Sequence, residues 1–335
     1  MKRSLSIFLS ISCLLGLLAG CGGQASTATT APNAPSTEGT TAPTEASVSQ
    51  AAMDALNGKK ILFIGNSYTH AAHAVIDKGF NPKEQEKRVD TRGYFYQLCK
   101  RAGMDVTVTS WCFGNHNVTD TFGDSCHASQ TCEGVDHKSY FVDPVFDYVS
   151  IQCYKEPLYE GDLVAHLQPI VDFFRAANPD VKFLLQVPHM AYDRPFDWVK
   201  DVEKMADNGF IVCNWGGLVY DVVNKTVEVP GATQQYFRNT FVVSISESDG
   251  HHQNILAGYL TALMTYCAIT GDSAVGQPYD FCADPTVDKK FVDLETYVAE
   301  RYTYDKFTNM IEVFQSPADM AGLQQLVDQY IVKYN

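Results

Sequence analysis

The stretch Lys60-Ile61-Leu62-Phe63-Ile64-Gly65-Asn66-Ser67-Tyr68-Thr69 is an apolar run that breaks abruptly into Gly-Asn-Ser. A continuous run rich in branched residues suits a strand covered on both faces. The glycine and the polar residues after it mark its end. A serine directly after a buried strand and at the start of a helix has a backbone N–H that the helix does not claim, with the helix's positive end close by. Both features favour an anionic intermediate. Taken alone, Ser67 reads equally well as an N-cap or a turn residue. A base and an oxyanion site must therefore come from elsewhere in the chain.

Downstream, short apolar runs alternate with amphipathic stretches. The pattern predicts a helix over Gly93–Ala102, a strand over Asp105–Trp111 and a strand over Asp147–Cys153. It continues with a helix over Leu163–Ala177 that kinks at Pro169, then a strand over Val181–Val187 and a helix over Phe196–Asp207. A strand over Phe210–Asn214 is expected to end at Gly216-Gly217. A long apolar helix over Gln253–Ile269 and further helix toward the C-terminus complete the order. Strands alternating with helices imply an α/β fold, a three-layer α/β/α sandwich around a mostly parallel sheet. Ligands in such folds gather at the carboxyl ends of the strands, and Ser67 lies at one.

The chain's beginning reads differently. Lys2 and Arg3 precede an apolar stretch over Leu5–Leu18 that closes with Leu18-Ala19-Gly20-Cys21, the plan of a secretory signal peptide over 1–20. The small residues ahead of Cys21 resemble the lipobox of bacterial lipoproteins, which implies lipidation of Cys21 and anchoring to the outer face of a bacterial cell membrane. Residues 21–50 are almost entirely Gly, Ser, Thr, Ala, Pro and Glu. They carry too little apolar surface to offset the entropy of ordering, and read as a flexible tether. Residues 58–335 are long enough for one large domain with its own core.

The formal net charge is −14, and loss of Lys2 and Arg3 with the leader deepens it to −16. An acidic domain without basic runs argues against nucleic acid and against electrostatic adhesion to anionic lipid. The expected membrane link is the lipid alone. Of the ten cysteines, Cys126 and Cys132 form the best local disulfide pair for an exported compartment, while Cys153 and Cys213 end apolar runs and read as buried thiols. No Cys/His spacing of the zinc-site type occurs, and His70 and His73 lack a carboxylate to complete a metal site. No metal is expected.

Near the domain's end stands Ser248-Asp249-Gly250-His251-His252-Gln253-Asn254. An Asp-x-x-His turn sets a carboxylate against one imidazole nitrogen and leaves the other for a serine hydroxyl, which is what a serine nucleophile needs. Asp249 and His252 have that spacing. His251 ranks second as base, and the same residues also read as a helix cap with two exposed histidines.

Together these blocks resemble the SGNH hydrolases, or GDSL-type esterases, in the branch whose first block is Gly-Asn-Ser. The resemblance spans Lys60 to about Thr270 and implies a flavodoxin-like sandwich. It further implies Ser67 as nucleophile, His252 as base and Asp249 as the residue orienting it. The family's second block is occupied by Trp111-Cys112-Phe113-Gly114-Asn115, which implies the Gly114 N–H as an oxyanion donor beside the Ser67 N–H. The third block departs from the family's Gly-x-Asn-Asp, and Gln152 in "DYVSIQCYKEP" takes the place of the amide donor. Asn66, Asn115 and His251 are candidate substrate contacts. The expected activity is serine ester hydrolysis without metal or organic cofactor, on acyl esters, acetyl foremost, of a small molecule or a polysaccharide. The rival is a surface lipoprotein that binds glycan or another ligand on the same scaffold without turning it over.

Overall fold

The structure, a computed structural model, describes residues 48–70, 89–90, 93–112, 118, 141, 143–153, 162–188, 199–243, 252–283 and 308–335. The leader, Cys21, most of the tether and the Cys126/Cys132 pair lie outside them.

In chain order the described elements begin with α1 (Gln50–Leu56), β1 (Lys60–Gly65), α2 (Ser67–His70), β2 (Val89–Asp90), α3 (Tyr94–Arg101) and β3 (Thr107–Cys112). They continue with β4 (Tyr148–Gln152), α4 (Leu163–Ala177), β5 (Lys182–Gln186), α5 (Val199–Asp207), β6 (Phe210–Cys213) and α6 (Trp215–Val223). The last are α7 (Arg238–Phe241), β7 (Val242–Val243), β8 (His252–Gln253), α8 (Ile255–Thr270), a 3-10 turn at Asp280–Ala283, α9 (Met310–Gln315) and α10 (Pro317–Tyr334).

One six-stranded sheet has the order β2-β3-β1-β4-β5-β6. Five strands are parallel, and the two-residue β2 lies antiparallel at one edge. The chain order of the parallel strands reverses at β1, whose neighbours are β3 on one side and β4 on the other. That reversal opens the crevice where doubly wound folds bind ligands. β1 is central, and Ile61, Leu62 and Phe63 are wholly buried, as a run without polar alternation requires.

Helices cover both faces. On one, Thr265 of α8 accepts a 3.0 Å hydrogen bond from Gln186 Nε2 of β5. On the other, the Arg175 guanidinium of α4 lies 5.5 Å from the Phe183 ring centre, and Phe141, Phe146 and Phe174 pack edge to face beside it. The α/β/α sandwich expected from the sequence is thus the fold observed.

α8 is apolar around its whole circumference and buried nearly throughout, as expected of a helix inside a large domain. The Asn254 side chain caps it by accepting from the N–H groups of Leu256 and Ala257, and Gly271 ends it at φ 74°. Its threonine hydroxyls at 261, 265 and 270 donate to carbonyls four residues back, which leaves no polar atom to disrupt the core.

Three local expectations change. The strand expected over Phe210–Asn214 ends at Cys213, and Gly216-Gly217 after it lie in the first turn of α6. The Asn214 side chain accepts from the Gly217 N–H at 3.0 Å, and a β-carbon on Gly217 would stand 2.7 Å from that carboxamide, so the cap requires glycine. His252 and Gln253, expected next to or inside a helix, form a short strand antiparallel to Val242–Val243. Finally, α1 precedes residue 58 and buries Ala52 and Leu56, so ordered structure starts earlier than the composition suggests.

Candidate active site

β1 delivers the chain to the sheet's carboxyl edge, where Gly65 faces Cys112 of β3 and Ile64 faces Ile151 of β4. Gly65 is required by close approach. A β-carbon there would lie 2.1 Å from Thr69 Oγ1 and 3.1 Å from the Gln152 β-carbon. Asn66 follows, fully buried. Its carbonyl accepts from the Thr69 N–H at 3.0 Å and its Oδ1 from the Tyr68 N–H at 3.1 Å, an Asx turn that starts α2. Ser67 stands at the exposed corner of this turn, partly open to solvent. Its N–H has no hydrogen-bond partner among the described residues.

Gln152, at the end of β4, is 2% exposed. Its Nε2 donates to Asn66 Oδ1 at 3.1 Å and to the Cys153 carbonyl at 3.2 Å. Its Oε1 accepts from Thr69 Oγ1 at 2.6 Å. Both amide hydrogens are therefore committed inside the protein. The expectation of an amide aimed at an oxyanion is not what this arrangement offers: Gln152 braces the turn that carries Ser67. Asn66 is corrected likewise. With no exposed surface and its oxygen already accepting twice, it supports the turn and is shielded from any substrate.

His252 completes the arrangement. Its Nε2 lies 2.8 Å from Ser67 Oγ although the residues are 185 apart in sequence. That distance is within reach for proton transfer from a nucleophile to a base. With the proton on Nδ1, Nε2 accepts from the hydroxyl. The backbone of β8 fixes the histidine through pairing of His252 with Val243, and the Tyr68 ring packs against the imidazole with centres 5.4 Å apart. The adjoining Gln253 side chain donates to the Tyr68 carbonyl.

The neighbouring thiol does not compete as nucleophile. Burial pushes Cys112 up to about 12, although a hydrogen bond with the Thr69 side chain pulls the other way. It stays protonated and inert at neutral pH. Among the described residues no group of three or more His, Cys, Asp or Glu side chains is placed to hold a metal ion. Asp249, Gly114, Asn115 and His251 lie outside the described residues. The sequence did not reveal Thr69, Tyr68 or Gln253 as contributors; their partners come from distant strands, and no local pattern marks them.

No protein-family model matches the chain, and no curated protein matches it. Solved structures do resemble it, at low identity. A GDSL-like lipase candidate from Parabacteroides merdae is 16% identical with a TM-score of 0.42, over 64% of this chain and 97% of that one. A variant of an acetyl xylan esterase from Geobacillus stearothermophilus is 15% identical with a TM-score of 0.40, over 64% and 96%. A DUF4886 family protein from Bacteroides uniformis is 13% identical with a TM-score of 0.41, over 80% and 95%.

Proposed function

We propose that this protein is a serine esterase that acts outside the cytoplasm on acyl esters, acetyl foremost, of carbohydrate. The observation that carries the reading is the 2.8 Å contact between His252 Nε2 and Ser67 Oγ at the sheet's carboxyl edge. Ser67 Oγ attacks the ester carbonyl while His252 takes its proton. The Ser67 N–H, joined in this proposal by the Gly114 N–H, holds the oxyanion. His252 then returns the proton to the leaving alcohol, which departs and leaves an acyl-serine. Water activated by the same imidazole adds to that acyl group and releases the acid, restoring Ser67. Asp249 is assigned to the imidazole's other nitrogen, by its spacing. Asn115 and His251 are the proposed substrate contacts. The reaction so written needs no cofactor.

The leader and Cys21 support export and a lipid anchor on the outer membrane face, with residues 21–50 as the tether. Carbohydrate as substrate is an inference from that location and from the sequence resemblance. One observation favours the rival reading of a binding lipoprotein: Gln152 has no amide hydrogen left for an oxyanion, which removes one donor from the expected set. The two readings separate on hydrolysis of 4-nitrophenyl acetate by the chain from residue 48 onward and by Ser67→Ala. The esterase reading expects turnover that falls at least about a thousandfold in the variant. Equal rates in both proteins would overturn it.

A further inference from the structure

The Ser67–His252 contact joins a helix start to a two-residue strand, and something must hold the two together. We infer that Gln253 is the positioning residue that sets this distance, an inference that rests on the reading of Ser67 as nucleophile and His252 as base. Each partner is held through the residue that follows it. On one side that residue is Tyr68, whose ring packs on the His252 imidazole and whose carbonyl accepts from Gln253 Nε2. On the other it is Gln253, 1% exposed, paired through its backbone with Val242. Tyr68 is thus gripped at two points by consecutive residues of β8.

The second observation concerns the other end of the same amide. Gln253 Oε1 is buried and has no hydrogen-bond partner among the described residues. A flipped amide would set two acceptor oxygens against each other at Tyr68, so the donor must face that carbonyl. A half-satisfied amide in a buried place is a poor stabiliser. An apolar side chain would pack there at lower cost, so what distinguishes glutamine is the bond its nitrogen makes beside the nucleophile. The backbone of Asn254 continues the restraint, its N–H donating to the Phe241 carbonyl at 2.9 Å and its side chain to the Thr240 carbonyl at 2.8 Å. With β8 pinned behind by these bonds, Gln253 is its only described side chain that hydrogen-bonds the backbone of α2.

The test compares the wild type with Gln253→Leu and Gln253→Met, both of which keep bulk and lose the donor. Rates are expressed per mole of folded protein, as judged by near-ultraviolet circular dichroism. A misplacement near 1 Å costs on the order of a hundredfold in rate. Both variants are therefore expected to lose about tenfold or more in kcat and in fluorophosphonate labelling rate, with KM for 4-nitrophenyl acetate within about twofold of wild type. Wild-type kcat in either folded variant, with only thermal stability reduced, would overturn the assignment and leave the esterase reading intact. Failure of both variants to fold would make Gln253 a structural strut and would equally overturn it. A wild type that neither turns over nor labels would sink the esterase reading, and this inference with it.

Discussion

Gln152 Nε2 sits 3.1 Å from Asn66 Oδ1, so the side chain that ends β4 holds the turn that ends β1. The same glutamine takes the Thr69 hydroxyl at 2.6 Å, which ties the first turn of α2 to the neighbouring strand. Ser67 lies between these two restraints. The buried amide network thus braces the turn on both sides of it.

Replacing Gln152 therefore acts on structure and activity together. Gln152→Ala removes one of the two donors to Asn66 Oδ1 and the acceptor of the Thr69 hydroxyl, and loss of a hydrogen bond to a buried group costs about 1–3 kcal/mol. A lowered Tm accompanied by a fall in kcat is the expected outcome. An unchanged Tm with a lower kcat would instead mark Gln152 as a donor to the oxyanion.

Gly65→Ala should be more damaging than its size suggests. The added methyl would meet Thr69 Oγ1 at 2.1 Å, and neither the buried strand nor the braced hydroxyl has room to yield. Overpacking of this kind costs about 1–3 kcal/mol, and displacement of Thr69 would carry Ser67 with it. Denaturant unfolding and ester hydrolysis should both be impaired; wild-type values in both would contradict the geometry.

Much of this arrangement was legible in the sequence, and the exceptions have physical causes. β1 was legible because it is a continuous apolar run buried on both faces, with Ile61, Leu62 and Phe63 wholly covered, and β3 because Val108 is buried between the more open Thr107 and Thr109. Ser67 and His252, expected as nucleophile and base, were each marked by a local setting that suits that chemistry, and their side chains stand 2.8 Å apart. The role of Gln152 was not, because its partners Asn66 and Thr69 belong to another part of the chain. The helix whose first turn holds Gly216-Gly217 was not legible because glycine carries no periodicity. Only the Asn214 cap shows that a side chain is excluded there. β8 was hidden because two residues cannot show alternation, and its partner Val242–Val243 comes before the Asp-x-x-His turn.

The buried thiols give a prediction about reactivity. Burial pushes both Cys112 and Cys213 up to about 12, so near pH 8 neither is a thiolate. Iodoacetamide on the native protein followed by peptide mapping should leave both unmodified, with modification appearing on unfolding. Rapid alkylation of either in the native state would show that the site opens to solvent.

Acid stability should depend on Asp319, at the start of α10. Burial alone would raise its carboxyl. Hydrogen bonds from the Ser316, Thr233 and Tyr236 hydroxyls and the Gln234 N–H outweigh that and hold it below its ordinary value. A carboxyl depressed by folding contributes stability above its unfolded pKa, about 3.9, and loses it as pH falls through the lower folded value. The Tm of the wild type should therefore drop below about pH 4. Asp319→Asn should lower Tm at neutral pH and flatten that acid limb. Identical Tm–pH curves would remove Asp319 from the account.

The central claim is that Ser67 is a nucleophile activated by His252, and its most direct measurement is covalent. The chain is treated with a fluorophosphonate and the adduct is located by peptide mass. The account predicts one adduct, on Ser67, lost in His252→Ala while that variant remains folded. An adduct on another residue, an adduct on Ser67 formed equally fast without His252, or no adduct at all would contradict it.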